Sequence, residues 1–418
     1  MVALALLGAC LSRTARAADP LNSTDQPATA GDAKSASGHN EFNLVPVAGG
    51  TTDIGIGGGY FAGLTRVRTG DDPYVWDIES AGFITFESRQ GRVVVPYQDI
   101  YVQATVPRLF GRPLKLELRP EYSDESTLNY YGLGNAASAA APAGAPASYF
   151  LYGRIHPYLF ADARWRLLDH LAGTASVSYE QDWLQVASNS KLASDLGDGS
   201  PEVKRLLGST APHAVAKFAW GLQWDNRDND VSSHRGMFHT VDLALSPGAI
   251  SPLPYRFGQV TAIARGFVPI WEPRITLAMR IAADVLFGDP PFYELARFHD
   301  TYDTYAIGGL TGVRGVPAQR YYGKVKVLGN AELRTEIVSF HALGHPMILG
   351  VTAFFDGGRV WADTTPQPQL DGHGLGLKYG VGGGLRLQSG RAFVLRADVA
   401  YSPDASPIGA YVAAGQMF

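Results

Sequence analysis

Between Lys324 and Ile337 the side chains alternate with a period of two. Even positions carry Lys324, Lys326, Asn330, Glu332, Arg334 and Glu336, while odd positions carry Val325, Val327, Ala331, Leu333 and Ile337. Arg274 to Gly288 repeats the pattern, with Ile275, Leu277, Met279, Ile281, Val285 and Phe287 opposite Arg274, Thr276, Arg280 and Asp284. In Ala392 to Tyr401, Phe393, Leu395, Val399 and Tyr401 oppose Arg396 and Asp398. Successive side chains of a strand point to opposite faces, so each stretch predicts a strand with one apolar and one charged face. The same period runs from Phe42 to the last residue. It predicts sixteen strands, centred near residues 46, 60, 83, 99, 118, 157, 176, 219, 242, 263, 281, 331, 352, 382, 397 and 414.

Two architectures alternate in this way. A sandwich turns its polar faces to water and its apolar faces to a core. A transmembrane barrel turns its apolar faces to lipid and its polar faces to a lumen, and must close because hydrocarbon cannot satisfy an open edge. Composition favours the barrel. Only 18% of the 418 residues are charged, where soluble domains run near about 25%, and there are 48 glycines, 20 tyrosines and 19 phenylalanines. No apolar run reaches the roughly 18 residues of a membrane helix. With both chain ends in the periplasm, the long connections, near 123–148, 187–212, 289–322 and 362–374, all fall outside the cell. Short turns such as Leu167–Asp169 and Trp271–Pro273 fall inside, as outer-membrane barrels require.

Residues 1–17 read as a signal peptide, a short apolar core followed by Ala15-Arg16-Ala17. Leu7-Gly8-Ala9-Cys10 loosely matches a lipoprotein cleavage box, but the signal-core reading is preferred. Residues 18–41, rich in Ser, Ala, Thr, Asp and Gly, read as a flexible periplasmic lead, and residues 42–418 as the barrel. The one cysteine, Cys10, lies in the signal, so the mature chain is expected to hold no disulfide or thiolate metal site. Losing Arg13 and Arg16 takes the basic count from 35 to 33 against 39 acidic residues, and the net charge from −4 to −6. That balance argues against nucleic acid as a partner. Gly-x-Ser-x-Gly, His-Glu-x-x-His and phosphate-loop motifs are absent, the ten histidines lack metal-ligand spacing, and no enzyme, cofactor or metal is expected. The runs Gly55–Gly59 and Gly380–Gly384 do not fit a dinucleotide fingerprint and predict close strand approach instead.

One loop stands apart. Gly308 to Lys324 holds five glycines, three basic residues and no acid. Its Val313-Arg314-Gly315 resembles the Val-Arg-Gly-aromatic motif in the sixth extracellular loop of BamA/TamA-type barrels, the bacterial surface antigen family. Gly329-Asn330-Ala331-Glu332-Leu333-Arg334 is similar to that family's twelfth strand, and Phe354 to Trp361 to its F-x-D-x-G-x-V-W thirteenth strand. Asp225 to Asn229 with Arg235-Gly236, Tyr131 to Asn135 and the terminal Gly415-Gln416-Met417-Phe418 fit in the family's order. Val316 departs from it, standing where the aromatic is usual.

The resemblance implies a sixteen-stranded antiparallel transmembrane barrel whose long sixth loop folds into the lumen. It implies that Arg314 pairs there with Glu332 and Asp356, and that Phe418 belongs to an outer-membrane targeting signal. Periodicity independently puts Glu332 on the charged face, and Asp356 on the face opposite Leu349, Val351 and Phe355. The implied function is insertion or passage of protein or lipid at the outer membrane of a Gram-negative bacterium, without covalent chemistry. Lipids and lipopolysaccharide are the implied surroundings. Since residues 18–41 are too few to fold as a POTRA domain, a periplasmic partner would supply client binding. The alternative is a passive pore or structural surface barrel with a plugged lumen, in which Lys324, Lys326, Arg280 and Asp398 tune conductance.

Overall fold

The computed structural model describes residues 38–418 apart from 69–73, 90, 249–254, 273, 300–303, 343–344, 390–392 and 405–407. The expected signal peptide and residues 18–37 of the expected lead lie outside the described residues. The wall strands are β1 (His39–Thr51), β2 (Gly55–Val67), β3 (Trp76–Arg89), β4 (Tyr97–Val106), β5 (Leu114–Asn129) and β6 (Leu151–Leu168). They continue as β7 (Leu171–Gln185), β8 (His213–Asp225), β9 (Gly236–Ser246), β10 (Phe257–Trp271) and β11 (Ile275–Gly288). The last five are β12 (Val325–Ala342), β13 (His345–Trp361), β14 (Lys378–Ser389), β15 (Phe393–Tyr401) and β16 (Gly409–Ala414). Each lies within four residues of its expected centre. The first begins at His39, three residues ahead of the expected boundary at Phe42.

Every strand pairs antiparallel with the next, and β16 returns to β1, so one sheet closes on itself. The sandwich is thereby excluded. Burial is inverted relative to a soluble core: Lys326 and Glu332 are fully buried, whereas Ile281 is 64% and Ile337 57% exposed. The charged face of the period-two pattern is the inner face, and the apolar face is the outer one. Among the described residues no helix is long and apolar enough to cross a membrane.

Four long connections, 130–150, 186–212, 289–324 and 362–377, leave the same rim and build a roof over the barrel. Two short helices in the second, α1 (Lys191–Asp198) and α2 (Pro201–Leu207), are capped by Ser190 and Ser200. Their Leu192, Leu206 and Leu207 pack with Tyr130, Phe292 and Tyr322 in one apolar cluster. A backbone bond and a side-chain bond tie the loops together: Gly134 N–H donates to Tyr322 O (2.8 Å), and Asn135 Nδ2 donates to Gly376 O (2.7 Å).

The 289–324 connection descends from this roof, starting from a buried polar anchor. Tyr293 donates to Asp182 Oδ2 (2.7 Å), whose Oδ1 accepts from Arg154 Nε (2.6 Å). Glu294 accepts from Lys217 Nζ (3.0 Å). Burial opposes the charge on Glu294, but Lys217 and Arg297 prevail and hold its carboxyl at about 2.

Candidate functional site

Residues 306–323 pack against the inner wall. Val313, with Ala306, Ile307, Val316 and Tyr321, forms an apolar cluster against the inward-facing Ile263, Ala282, Leu328 and Val360. Val316, in place of an aromatic, is fully buried there, and its carbonyl accepts from Gly309 N–H (2.8 Å). Apolar packing therefore holds the segment down, and the same turn delivers Arg314 to the polar wall.

Arg314 is fully buried and meets three carboxylates. Its Nε and Nη2 donate to Asp356 Oδ2 (2.8 Å) and Oδ1 (3.0 Å), a two-pronged pair. Its Nη1 donates to Glu332 Oε1 (2.7 Å) and Asp398 Oδ2 (3.1 Å), and its backbone N–H donates to Asp356 Oδ2 (3.1 Å). The guanidinium also lies over the Phe354 ring, 3.4 Å from its centroid. Gly315 follows with φ 90°, a left-handed conformation that suits glycine, and its N–H donates to Tyr411 Oη (2.9 Å). Across the lumen wall, a β-carbon at Gly380 would overlap the carbonyl oxygen of Arg314, so the strand glycine is what lets the loop come so close.

The structure thus brings Val313, Arg314, Gly315, Glu332 and Asp356 into one place. Sequence reasoning did not assign four further participants. Asp398 is the third carboxylate, and Arg334, Arg386 and Arg396 surround the acids: Arg334 Nε donates to Glu332 Oε2 (2.8 Å), and Arg386 Nη1 to Asp398 Oδ1 (2.5 Å). Arg396 Nη1 lies 3.5 Å from Asp398 Oδ2. All share the inward parity of their strands, which is the signal that could have found them. The other inward charges named from the sequence are paired too. Lys326 meets Asp284 (2.6 Å), Lys324 meets Asp363 (3.3 Å), and Arg280 Nε donates to Asn330 Oδ1 (2.9 Å).

Phe418 lies elsewhere than the pattern predicts. Strand pairing stops at Ala414 instead of running to the chain end, because Gly415 (φ 83°) turns the last residues off the wall. Arg334 Nη2 then donates to the Phe418 carbonyl oxygen (3.0 Å), and Arg386 Nε to Gln416 Oε1 (3.2 Å). The Arg280 and Arg334 guanidiniums lie 5.1 and 5.2 Å from the Phe418 ring centroid.

That turn leaves a short seam. Neighbouring wall strands share between six and seventeen residue pairs, but β16 and β1 share two, Gly50 with Val412 and Thr51 with Tyr411. Among the described residues, no group of His, Cys, Asp and Glu side chains is arranged to hold a metal ion.

A family model described as an Omp85 superfamily domain matches residues 103–410. Comparison with curated proteins gives no match. Among solved structures the chain is similar to BamA from Haemophilus ducreyi lacking POTRA domains 1–3, at 16% identity and a TM-score of 0.56, over 91% of this chain and 70% of that one. It is also similar to CdiB from Escherichia coli, at 13% identity and a TM-score of 0.52, over 89% of this chain and 62% of that one. At such identities the likeness is one of fold. The family match takes in most of the closed barrel, with the inward loop and the three carboxylates that Arg314 meets: the chain belongs to the Omp85 superfamily.

Proposed function

We propose that this barrel sits in the outer membrane of a Gram-negative bacterium and works there in the insertion or passage of protein or lipid, without covalent chemistry. The observation that carries the reading is the seam. A strand edge in hydrocarbon is costly unless paired, yet β1 offers its edge from His39 to Gly49 beyond the two pairs it makes with β16. That edge can template an incoming strand by main-chain pairing. Val313, Arg314, Gly315, Glu332 and Asp356 act as a lock that keeps the wall's inner face ordered while the seam works. Phe418 belongs to the signal by which the barrel itself is assembled. Lipids and lipopolysaccharide surround it, and a periplasmic partner supplies client binding.

The passive-pore reading finds less support. Lys324, Lys326, Arg280 and Asp398 are each engaged with partners, and loop residues pack against the inner wall beside them. Reconstitution separates the two. Vesicles carrying the barrel should insert an unfolded outer-membrane barrel faster than protein-free vesicles, while planar bilayers show little steady conductance. Stable conductance that depends on the loop, with no gain in insertion, would sink the proposal in favour of the pore.

A further inference from the structure

Beside the lock, at the end of the barrel that carries the chain terminus, lies a cavity of about 40 Å3. Arg274, Arg334 and Arg386 line it, with Glu336 as the acidic residue beside them. Glu336 is already engaged, with Oε1 3.0 Å from His234 Nε2. Arg334 spends Nε on Glu332 and Nη2 on Phe418, and Arg386 spends Nε on Gln416 and Nη1 on Asp398. What remains is Arg334 Nη1, Arg386 Nη2 and the Thr352 hydroxyl, all buried and without a hydrogen-bond partner. Arg386 Nη2 comes no nearer than 3.6 Å to Glu332 Oε1. Thr352 lines the same cavity, as do Thr276 and Ser233.

Buried donors left unmade are costly, and a group of them around one space marks a missing acceptor. The unmet groups are two guanidinium nitrogens and a hydroxyl, donors that suit an anion and not a cation. One water needs only about 10–15 Å3 of such space, so the cavity has room for a larger guest. Arginine forks and hydroxyls are the donors that match the oxygens of a phosphate group.

We propose that this cavity binds a phosphate group, either inorganic phosphate or the phosphomonoester headgroup of a lipid. The site stands whether or not the barrel inserts clients. It also touches the chain end, because the two arginines that would hold the anion hold Phe418 and Gln416 as well.

The test uses the refolded full chain in detergent. Binding is read by broadening of the 31P resonance, and the unfolding midpoint is measured with and without ligand. The probes are inorganic phosphate, a short-chain phosphatidic acid and, as a blocked control, a short-chain phosphatidylcholine. Arg274→Gln and Thr352→Val each remove one polar group from the cavity lining and leave Arg314 and its three carboxylates in place. Saturable broadening by phosphate or phosphatidic acid, weakened at least about fivefold in both variants, is expected. The ligand-free unfolding midpoint should stay unchanged. Response to phosphatidic acid alone assigns the source to lipid, and response to both shows that the bare group suffices. No saturable broadening by either probe, or equal broadening in the variants, means that the cavity holds only water and overturns the site.

Discussion

At Arg314 one guanidinium serves three carboxylates, and each would lose something different without it. Glu332 keeps Arg334 and Arg386, and Asp398 keeps Arg386 and Arg396. Asp356 keeps only the Asn330 amide, at 2.9 Å, among the partners described for it. Breaking a buried pair from one side costs about 3–5 kcal/mol, mostly from the charge left behind. Arg314→Ala should therefore lower the unfolding free energy in urea by about that amount. Its coupling should be largest with Asp356→Asn, about 2 kcal/mol, and under about 1 kcal/mol with Glu332→Gln, whose charge has other cations. Arg314→Lys should recover only part of the loss, since an ammonium cannot hold both Asp356 oxygens and reach Glu332. Additivity within about 0.5 kcal/mol throughout that cycle would show that the residues do not interact. The parity of β12 and β13 made Glu332 and Asp356 legible as inward residues. Asp398, Arg386 and Arg396 have the same parity on β14 and β15. Period alone does not say which inward residues of distant strands share a level, because strand stagger decides it.

Among the elements, strand existence was legible because lipid on one side and a polar lumen on the other impose one alternation all round the wall. Element ends were not. The last strand stops at Ala414 through a backbone turn at Gly415 and the pull of Arg334 and Arg386, neither of which has a period. The docking of the sixth loop depends on similarly local devices. Gly380→Ala places a β-carbon against the Arg314 carbonyl oxygen and should speed proteolysis within 306–323 while leaving the wall folded. At the loop's other edge, Ala318 N–H donates to Asp53 Oδ1 (2.9 Å) in the β1–β2 turn. Burial raises the Asp53 carboxyl to about 6, from an ordinary 3.8, despite that bond. The folded state thus binds the proton more tightly than the unfolded one, and stability falls as pH rises from about 4 to about 6. Asp53→Asn keeps the acceptor and removes the charge. It should slow loop proteolysis at pH 8 and change nothing at pH 4, and a benefit confined to low pH would contradict this account.

For the whole molecule, closure fixes sidedness and resistance together. Single cysteines at Ala140 and Gly199, both in roof connections, should label from outside intact cells, and one at Trp271 should not. The reverse pattern would invert the orientation. A closed wall should also migrate faster unboiled than boiled in mild detergent gels. On the proposed function, the barrel works through its seam. Continuing the register of Gly50 with Val412 by two residues sets Ala48 opposite Ala414. The sequence holds no cysteine beyond Cys10, so Ala48→Cys with Ala414→Cys adds one controllable crosslink across the gap. Oxidised, this variant should insert an unfolded barrel into vesicles no faster than protein-free vesicles do, and reductant should restore the rate. Full insertion activity with the crosslink quantitatively formed would contradict the account.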